Sequence, residues 1–344
     1  DTTKKTVKDN KGGEYTYDKL LVATGGSPIR LPFGLVDITY FRDLQDYQRL
    51  RKMADEKNRF VVIGGGFIGS EIAAALAMAP TGSALTIAGP ATIIGGGFIG
   101  SEIAAALTMA GKQVTMIFLE DAIGGRVFPT DLARHLNDYY REKGVDVIAN
   151  DSVTSIQMDG DHLTVQTGSG RVIDTDGIVA GIGIRPNVAL AQEAGLNVEN
   201  GIVVNESLQT SAPDVFAAGD AANFFHIALG KRARVEHEDN AVAMGKLAGR
   251  NMAGASETFT HIPLFYSDLF DLGYEAVGEM NSQMEIVPDW DEPFKKGVIY
   301  YLADGRVRGV LLWNVWKKLG EARALLMEKG PFKAEELMGR IKGE

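Results

Sequence analysis

Ile63-Gly64-Gly65-Gly66-Phe67-Ile68-Gly69-Ser70-Glu71-Ile72-Ala73-Ala74-Ala75-Leu76 recurs letter for letter at Ile94–Leu107, 31 positions later. Each copy holds a complete G-x-G-x-x-G: Gly64, Gly66 and Gly69, then Gly95, Gly97 and Gly100. A short apolar run precedes each copy and an alanine-rich helical stretch follows it. This is the strand–turn–helix setting that a dinucleotide phosphate needs. The first glycine permits the tight turn, the second admits the pyrophosphate to the backbone, and the third lets helix and strand pack closely. The helix start adds free N–H groups and a partial positive charge.

Both copies compete for one place. The second runs directly through Gly111-Lys112-Gln113 into an apolar strand, Val114–Leu119, and then Glu120, 20 residues beyond Gly100. Because helix-to-strand links are short and right-handed, the second copy is expected to be the working one, with Gly95, Gly97, Phe98, Ile99 and Gly100 around the pyrophosphate. The first copy is then expected to be displaced, exposing an apolar helix or adding an edge strand, either of which invites association. A carboxylate where Glu120 stands accepts hydrogen bonds from the adenosine ribose and repels a 2′-phosphate, favouring NAD; an ordinary solvated loop acid is the plainer reading. Glu102 is either a charge near a helix start or a group reaching the nicotinamide side.

Composition narrows the function classes. The 344 residues carry a net charge of −10, which leaves no electrostatic footprint for nucleic acid. There is no cysteine, so disulfides, thiolate metal sites, iron–sulfur clusters and a redox dithiol are excluded. The five histidines show no paired ligand spacing, and no metal site is expected. No apolar run has the length of a membrane span and no signal peptide is visible, which points to the cytoplasm. The chain opens at Asp1 without Met, as expected for the inside of a longer reading frame or a processed start.

The remaining pattern alternates. A polar hairpin is expected over Thr2–Tyr17 around Lys11-Gly12-Gly13, then a buried strand, Leu20–Ala23, leaving through Thr24-Gly25-Gly26. Asp43–Asn58 reads as a solvated helix and Ala84–Ile87 as a possible strand. Thr130–Lys143 is amphipathic, with Leu132, Leu136, Tyr139 and Tyr140 at helical spacing. Antiparallel strands follow over Val153–Ile173, then a buried strand, Ile178–Gly181, leaving through Gly183. Thr24-Gly25 and Gly181–Gly183 are either plain turns or a crossing between two nucleotide domains. Ser211–Asp220 reads as a strand ending in Gly219-Asp220, whose carboxylate suits either a polyhydroxyl chain or an N-cap. A helix is expected over Ala241–Met252. From Ile262 strands take over, the last pair turning at Asp304-Gly305, and two helices close the chain.

These pieces together resemble the pyridine-nucleotide-dependent flavoprotein reductases, in the branch of apoptosis-inducing factor and the ferredoxin reductases of bacterial oxygenases. The resemblance rests on Tyr17–Gly25, the GGGFIGSE fingerprint, Gly181–Asn187, Thr210–Asp220, Arg234–His237, Gly245–Gly254 and Phe265–Leu269, in the family's order. It implies an α/β fold with two Rossmann-like three-layer domains and a C-terminal α+β domain. The FAD domain would comprise 1–36 and 183–262, the NAD domain 37–182 with fingerprints at 63–79 and 94–110, and the last domain 263–344. FAD and NAD are the implied cofactors. NADH, a small electron-acceptor protein and a second copy of the chain are the implied partners.

By position, Thr24, Gly25, Gly183, Gly219 and Asp220 would hold FAD, with Asp220 at its ribityl and pyrophosphate region. Glu236 and His237 would lie near the isoalloxazine. Tyr266 would cover flavin or nicotinamide, and Glu102 would face the nicotinamide. Read alone, His237 looks like part of a charged loop and Tyr266 like core. The implied activity is hydride transfer from NADH to flavin and onward to a protein, quinone or oxygen. The family's own FAD fingerprint, ahead of Thr24, is absent. The alternative is therefore an NAD-binding fragment or interaction module without flavin turnover.

Overall fold

Val, Ile and Leu runs closed by glycine turns form the strands, and the stretches with apolar residues three and four apart form the helices. The computed structural model describes residues 1–30, 38–40, 42–46, 48–49, 52, 60–63, 90–94, 98–109, 111, 113–159, 162–180 and 184–343. In chain order the elements used below are β1 (Leu20–Val22), β2 (Ile38–Tyr40), β3 (Phe60–Ile63), β4 (Pro90–Ile94), α1 (Phe98–Met109), β5 (Gln113–Ile117), α2 (Thr130–Glu142), β6 (Val145–Ile148), β7 (Gly177–Ala180), β8 (Val215–Ala217), α3 (Glu238–Met252), β9 (Leu264–Leu269), β10 (Leu272–Gly278), β11 (Glu285–Glu292), β12 (Lys296–Ala303) and β13 (Arg306–Trp313). The chain divides into two compact units. One is Asp1–Ser27, Ile184–Phe265 and Arg323–Met327; the other is Pro28–Gly183, Tyr266–Ala322 and Glu328–Glu344.

The larger unit is built on a parallel sheet ordered β2-β7-β3-β4-β5-β6. Strand order explains its faces. From β3 to β6 each strand lies beside its predecessor, whereas β7 returns to the far side of β3. Right-handed crossovers therefore go to one face in the first stretch and to the opposite face in the return. The return carries an antiparallel meander, Val153–Asp159, His162–Thr167 and Val172–Thr175. Its Leu163, Val165 and Ile173 pack with Ile38, Ile117 and Ile178 of the sheet. In α2, Leu132, Leu136 and Tyr140 are fully buried. The Tyr140 hydroxyl donates to the Ser101 carbonyl at 2.8 Å, tying α2 to α1.

Both fingerprint strands lie inside this sheet, which corrects the expectation that only one could. β3 pairs in parallel with β7 (Ala180 opposite Ile63) and with β4 (Ile63 opposite Ile94), and β4 pairs with β5 (Ile94 opposite Ile117). The first copy has thus added an interior strand rather than an edge strand. The similar apolar runs Val62-Ile63 and Ile93-Ile94 pair side by side in the ladder. The helix expected after the first copy, the strand Ala84–Ile87, and most of the helix Asp43–Asn58 lie outside the described residues.

The same unit contains an antiparallel sheet ordered β9-β10-β13-β12-β11. Tyr274 and Trp313 stack at 5.9 Å, and Phe128 stands edge-on to both at 5.5 Å. The turn before α2 is thereby anchored on the sheet. Gly124 permits this: its φ is +66°, and a Cβ there would run into the Phe128 ring. The hairpin at Asp304-Gly305 has φ of +53° and +68°, the left-handed pair of a type I′ turn. Strand β9 was not read from the sequence, because Leu264–Leu269 mixes polar and apolar residues.

In the smaller unit the hairpin pairs Thr6–Lys8 with Glu14–Thr16. A two-stranded parallel sheet joins β1 and β8, with Val22 opposite Ala217. Leu20 and Leu21 are only partly buried, not the fully buried strand expected, because the described residues give β1 a neighbour on one side alone. The core gathers Val22, Ile202, Val204, Leu208, Val215, Ala217, Phe224 and, from α3, Met244 and Ala248.

Candidate functional site

In the larger unit, the carboxyl edge of the parallel sheet collects the nucleotide candidates. Phe98, Ile99 and Gly100 open α1 directly after β4. Gly95, Gly97 and Gly183 lie outside the described residues. Glu120 follows β5, and its carboxylate meets the Arg126 guanidinium at 2.6 Å. Glu120 is thus a partly exposed acid with a cationic neighbour. The pair offers both an acceptor for hydroxyls and a positive charge.

Glu102 sits one turn into α1 and is 2% exposed. It is therefore not a solvent-facing charge near a helix start. Its carboxylate accepts from the Ser267 hydroxyl of β9, itself fully buried. Burial pushes the carboxyl up to about 8; Ser267 and the Asp268 amide work against this, and the Asp268 charge adds to it. At neutral pH the group is mostly protonated. Ser267 was missed by sequence reading: a lone serine in Phe265-Tyr266-Ser267-Asp268 has no spacing that marks it. Tyr266, beside it, is 40% exposed, which overturns its reading as core and leaves an aromatic ring presented to solvent.

In the smaller unit, Thr24 and Gly25 are laced to Asn187. The Thr24 hydroxyl donates to the Asn187 carbonyl at 2.6 Å, the Asn187 side chain donates to the Thr24 carbonyl at 2.9 Å, and the Asn187 amide donates to the Gly25 carbonyl at 2.9 Å. Gly26–Pro28 and Ile184–Pro186 pair as short strands just beyond. The first glycine exit is therefore tied to the segment that follows the second, whose Gly181–Gly183 lie outside the described residues. Asn187 was the unrecognised partner.

Gly219 takes φ +73°, which explains the glycine, and Asp220 follows in a 3-10 turn. A Cβ at Gly219 would meet nothing nearer than the Ala241 Cβ at 3.6 Å. Glu236 pairs with Arg234 at 2.5 Å. His237 is not a loop residue but the N-cap of α3, its Nδ1 accepting from the Asp239 amide at 3.3 Å. This requires the neutral ring with its hydrogen on Nε2. Its ring stands edge-on to Phe265 at 5.8 Å. Sequence reading began α3 at Ala241, since histidine is a rare cap. Asp239 was also missed: it takes His261 Nε2 at 2.6 Å, the Leu264 amide at 3.1 Å and Arg323 at 3.5 Å.

The family description "Pyridine nucleotide-disulphide oxidoreductase" matches residues 1–88 and 81–245. The chain belongs to this family. The two matched stretches overlap at residues 81–88, between the fingerprint copies. A second description, the mitochondrion-associated C-terminal part of apoptosis-inducing factor, matches 248–292 and 286–328. Similar family members include a putative apoptosis-inducing factor 1 of Drosophila melanogaster, 31% identical over 95% of this chain and 48% of the relative. Apoptosis-inducing factor 1 of Dictyostelium discoideum is 31% identical over 94% of this chain and 60% of the relative. The chain thus spans about half to three-fifths of these relatives. Putidaredoxin reductase in its covalent complex with putidaredoxin superposes with a TM-score of 0.81 at 27% identity, covering 97% of this chain and 75% of that one. The two Rossmann-like folds and the C-terminal β-rich fold are those of the family. Among the described residues no helix is long and apolar enough to cross a membrane.

Proposed function

We propose that the chain serves as an FAD-dependent NADH oxidoreductase, taking a hydride from NADH and passing electrons to a small protein, a quinone or oxygen, in the cytoplasm. The observation that supports this above others is the continuous unit β4–α1–β5–Glu120, a fingerprint strand, its helix and an acid-tipped second strand. Gly95–Gly100 would take the pyrophosphate and Glu120 the adenosine ribose hydroxyls, with Arg126 holding the carboxylate in place. The left-handed backbone at Gly219 and the acid beside it fit the ribityl and pyrophosphate region of FAD. Thr24, Gly25 and Gly183 would border the same cofactor. His237 would offer its Nε2 hydrogen, and Glu236, balanced by Arg234, would add a fixed dipole near the ring. Tyr266 would cover flavin or nicotinamide. Segments 1–36 and 183–262 would form the FAD domain, 37–182 the NAD domain and 263–344 the C-terminal domain.

When bound, FAD supplies a two-electron acceptor that can release electrons singly; this chain's part is to position and to balance charge. The visible spectrum tests the reading. The purified chain, supplied with FAD and desalted, should retain flavin bands that NADH bleaches in the absence of oxygen. A colourless chain that still binds NADH would instead establish a dinucleotide-binding module without flavin turnover.

A further inference from the structure

A dinucleotide lies across the crevice where strand order reverses, at the carboxyl ends of a parallel sheet. Here the reversal falls between β3 and β7. On one side β3, β4, β5 and β6 succeed one another; on the other stand β7 and β2. The complete fingerprint unit, β4 with α1, β5 and Glu120, is therefore not at the crevice. β3, the first-copy strand, stands between.

The ladder fixes how far. Ala180, Ile63, Ile94 and Ile117 are successive partners at the same level of β7, β3, β4 and β5. These four residues therefore stand in one row across the sheet. Neighbouring strands lie about 4.8 Å apart, so β4 is about 10 Å from β7 rather than about 5 Å. A ligand whose adenosine ribose is held at Glu120 loses one strand width of reach toward β7.

We propose that the duplicated fingerprint has set one extra strand into the dinucleotide cleft, so that this chain grips the adenosine diphosphate half of NADH while the nicotinamide half adds little to binding. The inference rests on the dinucleotide reading above. It makes residues 64–94 a spacer: removing them joins Ile63 to Gly95, leaves one intact fingerprint, and gives a single strand both neighbours, β7 and β5.

Calorimetric titration with ADP-ribose and NADH tests this without flavin. The full chain should bind the two within about threefold, and the chain lacking 64–94 should bind NADH at least about tenfold more tightly than ADP-ribose, a gain of about 1.4 kcal/mol. A second measurement needs no variant. In saturation-transfer NMR on the full chain with NADH, adenine protons should receive strong saturation and nicotinamide protons weak saturation. A full chain that already prefers NADH tenfold, or equal saturation at both ends, overturns the inference and leaves the dinucleotide reading standing. Failure of the full chain to bind either ligand overturns both.

Discussion

At the residue scale, Glu102 is the group whose environment departs furthest from what its letter suggests. A carboxyl held up to about 8 in the fold and near 4.5 in the unfolded chain binds more protons when folded. Stability is then full below the unfolded value and falls as pH rises from about 4.5 to about 8. Its neighbours across the cluster are Asp268, Tyr140 and Tyr274; neither tyrosine titrates in this range, since burial raises both well above the ordinary value. Thermal melts should show Glu102→Gln losing much less Tm than the parent between pH 5 and pH 8.5. Equal pH slopes in the two proteins would mean that Glu102 is ionised in the fold. His237 gives a second prediction. His237→Ala removes the cap of α3 at a cost of about 1 kcal/mol, and His237→Asn, which can accept the same amide, should restore most of it in urea unfolding. Neither role was legible. A serine partner and a histidine cap depend on what the chain brings near, whereas Gly219 and Gly124 carry their backbone demand in the residue type itself.

At the scale of elements, period and punctuation were read well and pairing was not. The 3.6-residue pattern of Leu132, Leu136 and Tyr140 located α2, and glycine turns located β1, β7 and β8. The position of β3 was not legible, because a short apolar run ahead of a glycine turn reads the same wherever it pairs; only the ladder shows it between β7 and β4. Which copy holds phosphate follows from what comes next in the chain. After α1 stands β5 with Glu120; after the first copy stands a second fingerprint with no acid at that place. Gly97→Val should therefore weaken ADP-ribose binding at least about tenfold, and Gly66→Val should change it little. The reverse order would identify the first copy as the phosphate site. Glu120→Arg should weaken NADH and relatively favour NADPH, a shift readable in the ratio of the two dissociation constants. An unchanged ratio would remove Glu120 from the ribose.

At the scale of the whole molecule, protection should be as uneven as burial. In β12 and β13, Ile299–Leu302 and Val310–Trp313 are at most 1% exposed, and both strands have neighbours on each side. Opening there means breaking the core of Trp313, Tyr274 and Phe128, so exchange should track the unfolding of that sheet. β1 is the opposite case. Among the described residues its three residues pair only with three in β8, and parallel pairs are normally stable only inside larger sheets covered on both faces. A cavity of about 580 Å³ lies against Leu20, Val22, Val215, Leu196 and Ala191, so this pair also lacks full packing on one side. Hydrogen exchange read by mass spectrometry should accordingly label Leu20–Val22 and Val215–Ala217 well before any peptide of β12 or β13. Simultaneous exchange of both regions would show that the short parallel pair is held as firmly as the antiparallel sheet.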